Sequence, residues 1–264
     1  MPDKPLPSFN GRLNKFKHKP SPPITPTTNP VTSAAATTIR PKSNHARVAK
    51  PVPAKGTTRG VSKKKNTPPT DLPPLPLMLE PGLVCVFIGF NPGIQSSLQG
   101  HFYAHRSNLF WKMIYESGCV NEPLTCYDDR SMIERYRYGF HDLVLRPTRG
   151  IDDLDRAEML DNVPRLERTL QTYAPAIVCF VGKGIWEKIY KNKTGRNLPK
   201  DGFTWGLQKN IDFTFISKDR STKLFVMPST SGLAAGMSRE HKLALWKELA
   251  SIITQEREAQ KEKE

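Results

Sequence analysis

The chain has no apolar run of about 18 residues, the length a membrane-crossing helix needs. Its N-terminus lacks the apolar core of a secretory signal, so the sequence predicts a soluble, intracellular protein with no membrane association. Cysteine is scarce: Cys85, Cys119, Cys126 and Cys179 show no C-x-x-C spacing and no paired histidine. This argues against a metal or iron–sulfur site and predicts reduced, structural thiols. No internal repeat is present. Residues 1–76 also lack the continuous apolar patterning a core requires and hold 16 of the 24 prolines. They read as a disordered, Pro-rich tail.

Charge is distributed as unevenly as proline. Of the formal +15, residues 1–71 supply +12, from 14 Lys or Arg against Asp3 and Asp71. The remainder is close to neutral. A basic arm beside a near-neutral domain suits attraction to a polyanion such as nucleic acid, or serves as a solvated linker or an address. Lys63-Lys64-Lys65 fits either a nuclear address or a phosphate contact.

Residues 77–254 read as one ordered domain and residues 255–264 as a charged extension. Apolar runs at 83–90, 141–145, 176–182, 211–216 and 223–227 read as strands. Helical segments are expected at 108–116 behind Ser107 as cap, and at 131–138. Others are expected at 155–173 with a break at Pro164, at 184–191, and from Ser238 onward, fraying past Thr254. Residues 94–105 read as a loop. Strands alternating with helices predict an α/β fold, a three-layer α/β/α sandwich with a mainly parallel central sheet.

The organising stretch is the first strand, LVCVFIGF, broken abruptly by Asn91-Pro92-Gly93. Pro92 cannot donate to a sheet ladder, and Gly93 has access to backbone angles closed to other residues. In open α/β sheets the carboxyl edge is where ligands bind, which makes Asn91 the first candidate for chemistry. A second strand end, MPSTSGLAAG at 227–236, consists almost entirely of small residues.

GFNPG at 89–93, GHFYAHRSNLFW at 100–111, GFHDLVLRPT at 139–148, YAPAIVCFVGKGIWE at 173–187 and MPSTSGLAAG occur in one order and spacing. Together they resemble the mismatch-specific uracil/thymine-DNA glycosylases, a branch of the uracil-DNA glycosylase superfamily, over about residues 83–253. The resemblance implies a single domain that removes mismatched or damaged bases from double-stranded DNA. It implies no metal or cofactor.

On its own chemistry, breaking an N-glycosidic bond leaves positive charge on the sugar and negative charge on the base. The protein must hold a water behind the sugar and stabilise the departing base. A carboxamide can orient that water but cannot strongly deprotonate it, which suits Asn91, the position resembling the family's catalytic Asn. The resembling superfamily's faster members place Asp in the first motif and His in the second, whereas this chain has Asn91 and no His between Met227 and Arg239. Slow turnover with weak pH dependence near neutrality is the expectation. No lysine occupies the water-holding position, so no Schiff base is expected. His101 and His105 are read as structural.

By the same resemblance, Tyr103 stacks on the flipped base, a contact worth roughly 1–3 kcal/mol, and the backbone at Phe90 and Tyr103 meets the base edge. Asp142 either contacts the base or caps the turn after His141. Leu233, between Gly232 and Ala234, resembles a wedge that fills the hole left by an extracted base. Ser229, Thr230 and Ser231 are candidate phosphate donors. Lys183, at a helix start, is either another phosphate contact or a surface lysine.

The leading expectation is a monofunctional glycosylase acting on uracil or thymine opposite guanine, and on other altered bases. It is read as monomeric and nuclear, leaving abasic sites for downstream repair enzymes. The rival expectations are a catalytically idle reader of mismatched DNA on the same fold, and a small-molecule nucleotide-binding protein.

Overall fold

In this computed structural model the described residues are 72–208, 222–234 and 236–262. The expected disorder of the tail up to residue 71, its Lys63-Lys64-Lys65 cluster and the strand expected at 211–216 lie outside them. The strands are β1 (Cys85–Gly89), β2 (Tyr138–Asp142), β3 (Ile177–Val181), β4 (Gly206–Leu207) and β5 (Lys223–Met227). They form one sheet in the order β2-β1-β3-β5-β4. The pairs β1–β2, β1–β3 and β3–β5 are parallel, and the short edge strand β4 is antiparallel to β5.

The helices are α1 (Ile94–Gln99), α2 (Phe110–Glu116), α3 (Met132–Tyr136), α4 (Arg156–Asp161), α5 (Val163–Tyr173), α6 (Lys183–Thr194) and α7 (Arg239–Lys261). They cover both faces of the sheet, because alternate strand residues point to opposite sides. Phe87, Phe140 and Phe225 pack with Phe110 and Met113 of α2 and with Trp246 and Leu249 of α7. Val86, Ile88 and Phe180 pack on the other side with Met159, Leu166, Leu170, Trp186 and Ile189 of α4, α5 and α6. Each of these side chains is within 8% of full burial, contributing roughly 1.5–3 kcal/mol per large apolar group. The arrangement is the three-layer α/β/α sandwich the alternation predicts. No helix among the described residues is long and apolar enough to cross a membrane.

Several boundaries differ from the sequence expectation. Residues 94–99 form helix α1 rather than loop, ended by Gly100 in the left-handed region at φ 72°. Strand β2 lies three residues earlier than the apolar run at 141–145, because its register is set by β1, with Phe87 opposite Phe140 and Gly89 opposite Asp142. Helix α3 stops at Arg137, at φ 57°, which leaves Tyr138 and Gly139 to the strand. The expected break at Pro164 is present: α4 ends at Asp161 and α5 restarts with the proline in its first turn. Gly93 does not use its special freedom, since its φ is −73°.

Ser238 caps α7, its Oγ accepting from the His241 amide at 3.3 Å. The helix then runs on to Lys261 instead of fraying past Thr254. Arg257 donates to the Tyr136 carbonyl at 2.9 Å and lies over the Tyr138 ring, and Glu256 pairs with Lys223. The charged extension is therefore largely a continuation of the domain's last helix.

The chain passes from β1 to β2 on one side and later returns to place β3 on the other side of β1. This reversal opens a crevice at the carboxyl end of β1, the topological position where open α/β sheets hold ligands.

Candidate active site

Asn91 stands two residues beyond β1, where the segment 89–92 is zipped to 143–148. The amides of Leu143, Val144 and Thr148 donate to the carbonyls of Gly89, Phe90 and Pro92 at 3.0, 2.9 and 3.0 Å. The Asn91 carboxamide nitrogen donates to the Arg146 carbonyl at 2.9 Å and to Thr148 Oγ1 at 2.7 Å. Thr148 gives its own hydroxyl proton to the Gly150 carbonyl at 2.8 Å, so its oxygen can only accept from Asn91. A carbonyl likewise only accepts. Both partners therefore demand an NH2, which fixes the amide's orientation on chemical grounds. Its oxygen Oδ1 has no donor among the described residues and is free to receive one from a water. Arg146 braces this loop in turn, through a paired contact with Glu158 at 2.9 and 2.7 Å and a bond to the Asp153 carbonyl.

Tyr103 sits at φ 55°, a left-handed conformation uncommon for a non-glycine residue. The loop that holds it is tied to Asp129, a fully buried carboxylate that accepts from the Phe102 amide and faces His101 Nδ1, both at 2.9 Å. Trp111 Nε1 donates to the Phe102 carbonyl, and the Ala104 amide donates to Ser96 Oγ, both at 3.1 Å. These four contacts hold the strained residue from both sides. One face of the Tyr103 ring is stacked on Phe110, with centroids 4.0 Å apart and planes within 5°. His101 is thus part of the scaffold, and His105 bonds Ser107 at 2.8 Å.

Asp142 ends β2 directly opposite Gly89. A Cβ placed on Gly89 would stand 2.2 Å from Asp142 Oδ1 and 3.5 Å from the Tyr103 hydroxyl. Only glycine leaves room for these two oxygens at the floor of the crevice. The Tyr103 hydroxyl is buried with no hydrogen-bond partner among the described residues, and burial together with the nearby Asp142 pushes its pKa well up. Burial raises the Asp142 carboxyl from 3.8 to about 7, opposed by the Arg165 guanidinium. Arg165 donates to the Asp142 and Leu143 carbonyls at 2.8 and 2.7 Å and faces His141 Nε2 at 2.8 Å. Burial and this cation lower His141 to about 4, leaving a neutral acceptor at neutral pH.

The loop after β5, a strand separated from β1 by β3, reaches the segment that follows Tyr103. Gly232 packs against Ser107, where an added Cβ would come within 2.4 Å of Oγ and 3.0 Å of the backbone oxygen. The Leu109 amide donates to the Thr230 carbonyl at 2.9 Å. Leu233 is 85% exposed at the tip, flanked by half-buried Ala234. Ser229 and Ser231 each accept from a backbone amide of the loop, and their hydroxyl protons have no acceptor among the described residues. Thr230 is 1% exposed, more buried than its serine neighbours, and its carbonyl accepts from the Leu109 amide.

The Phe90 ring lies on the other side of the sheet, against Gly184 at the start of α6, and its carbonyl accepts from the Val144 amide. Lys183 starts α6 beside it, 3.7 Å from Glu187 and 4.7 Å from the centre of the Phe203 ring.

The structure thus gathers Asp142 and Tyr103 at Gly89, two residues before Asn91, packs the 228–234 loop on the segment that follows Tyr103, and places Lys183 at the start of α6 beside Phe90. Sequence reasoning missed Thr148 and Asp129. Thr148 stands inside the GFHDLVLRPT segment and is legible there as a hydroxyl at a strand end. Asp129 has no local signal, because its partners lie 27 and 28 residues away.

Comparison with known proteins agrees with this geometry. The profile of the uracil DNA glycosylase superfamily matches residues 78–250. The G/U mismatch-specific uracil DNA glycosylase of Schizosaccharomyces pombe is 37% identical over 204 residues, covering 74% of this chain and 59% of the relative. The chain therefore belongs to the uracil DNA glycosylase superfamily.

Proposed function

We propose that the protein is a monofunctional DNA glycosylase that releases uracil from G·U mismatches in double-stranded DNA. It extends to thymine opposite guanine and to other altered bases. The observation that carries the reading is the Asn91 carboxamide, held by its nitrogen with its oxygen free at the rim of the crevice. The relative named for G/U mismatches supports uracil as the first substrate.

In this reading the base is turned out of the stack and lies on the free face of Tyr103. Asn91 Oδ1 holds a water behind the sugar. Water oxygen bonds the anomeric carbon and sheds a proton to solvent, the glycosidic bond breaks with its electrons leaving on the base, and the base anion takes up a proton from solvent, so that one water is consumed overall. Protonated Asp142 donates to a base carbonyl and steadies the departing anion. Leu233 fills the vacated stack, while Ser229, Ser231 and Lys183 meet phosphates. The Thr230 amide joins them as a phosphate donor. No cofactor takes part, the protein works as a monomer in the nucleus, and its abasic product requires a reaction class that cleaves the backbone at abasic sites.

The test is base release from a uracil-containing duplex, read by alkaline cleavage of the abasic product. The Asn91→Ala variant should bind the same duplex and lose at least about a hundredfold in single-turnover rate, the scale of a misplaced reactant. Retained turnover would remove Asn91 as the water holder. Specific binding by the wild type with no abasic product would favour an idle mismatch reader.

A further inference from the structure

Helix α7 presents Lys242, Trp246, Leu249 and Ile253 along one buried stripe. Three of these are apolar; the first is a lysine only 4% exposed. Lysine is almost never fully buried unless its charge is compensated, and an apolar residue would satisfy the packing of that stripe at lower cost. The lysine must therefore be read from what its ammonium touches.

Lys242 Nζ donates to the Ser229 carbonyl and to the Ala234 carbonyl, both at 3.0 Å. These two carbonyls bracket the segment that carries Leu233. One ammonium therefore ties the start of the loop to its end from below, while the Leu109 amide holds the Thr230 carbonyl from the side. Within this bracket the internal bonds are few: the Ala234 amide to the Ser231 carbonyl at 3.0 Å and two long contacts to serine hydroxyls. Leu233 itself is 85% exposed and gains little from packing. Small residues resist collapse weakly, so the loop's projecting shape depends on the cross-link.

We propose that Lys242 is a positioning residue for the wedge: it holds residues 229–234 in the projecting conformation, so that Leu233 enters the duplex without first paying the entropy of ordering its loop. The inference rests on the glycosylase reading for its consequence in DNA, but not for its effect on the loop. Removing the ammonium leaves two inward-facing carbonyls unpaired, and the loop opens to satisfy them with water.

Two readouts separate these levels. In the free protein, Lys242→Met should speed hydrogen exchange of the Leu233 and Ala234 amides at least tenfold, with the β5 amides unchanged. Lys242→Gln, which keeps a shorter donor able to reach one carbonyl, should give a smaller increase and guards against a global folding defect in the first variant. On DNA, base release from a uracil–guanine pair should fall at least tenfold more than release from uracil facing a non-pairing tetrahydrofuran site, where less extraction work is needed. Unchanged loop exchange in both variants, or equal losses on the two duplexes, overturns the proposal. A wild type inactive on both duplexes would instead defeat the glycosylase reading, and the exchange experiment would still decide the role of Lys242 in the loop.

Discussion

Replacing Asp142 by Asn tests whether the crevice floor holds a neutral carboxyl. Burial raises this group from 3.8 to about 7 in the folded protein. At about 1.4 kcal/mol per factor of ten in proton affinity, ionising it within the fold costs on the order of 4 kcal/mol. The direction follows from a folded pKa above the unfolded one: the neutral carboxyl's stability is fully present below about pH 4 and is lost as pH rises through about 7. Asn has nearly the same shape and no charge to bury. Urea melts of the two proteins should therefore coincide near pH 4 and separate progressively above it, the variant becoming the more stable by a few kcal/mol at pH 8.5. His141, lowered to about 4 by burial and Arg165, works against the fold as pH falls below 6.5, but it is present in both proteins and cancels in the difference. Single-turnover release of uracil should follow the same group. The wild-type rate should fall above about pH 7 as a carboxylate comes to face the departing anion, while the variant, with its permanent amide donor, should be flat. A stability difference independent of pH, or identical rate profiles, would refute the assignment of a neutral acid to this floor.

Thr148→Val removes one of the acceptors that orient the Asn91 amide and should cut single-turnover rate by roughly ten- to a hundredfold with duplex affinity unchanged, measured by paired rate and binding titrations. Leu233→Ala should slow release from a fully paired duplex by about tenfold, since extraction loses an insertion worth on the order of 1.4 kcal/mol; uracil in an already unstacked site should be affected less. Removing residues 1–74 should flatten the salt dependence of nonspecific DNA binding, because fewer cations are displaced from phosphates. An unaltered slope would mean the tail is not a DNA arm. The same truncation should leave the chemical step at saturating protein close to that of the full chain.

How much was legible without coordinates depended on how local each signal was. Asn91 announced itself because a buried apolar run was cut by Asn-Pro-Gly, and the Leu233 loop because a strand ended in a run of small residues around one leucine. The alternation of strands and helices specified a parallel sheet covered on both faces, since only such burial suits continuous apolar runs. Boundaries were less readable: β2 was misplaced by three residues because strand register is set by the partner strand, whose side chains lie far away in sequence.

The amino-acid order by itself determined the layer architecture, the concentration of basic charge before residue 72, and the presence of a carboxamide rather than a carboxylate or histidine at the rim. Only the tertiary structure decided which end of that carboxamide faces outward, that Asp142 is an acid whose proton affinity burial raises, that Thr230 is buried, and that Lys242 lies beneath the loop that carries Leu233. The reason is physical. Burial patterns and residue chemistry are properties of a segment, but an amide's orientation, a proton's affinity and a buried charge's purpose are set by neighbours that the chain brings together only when it folds.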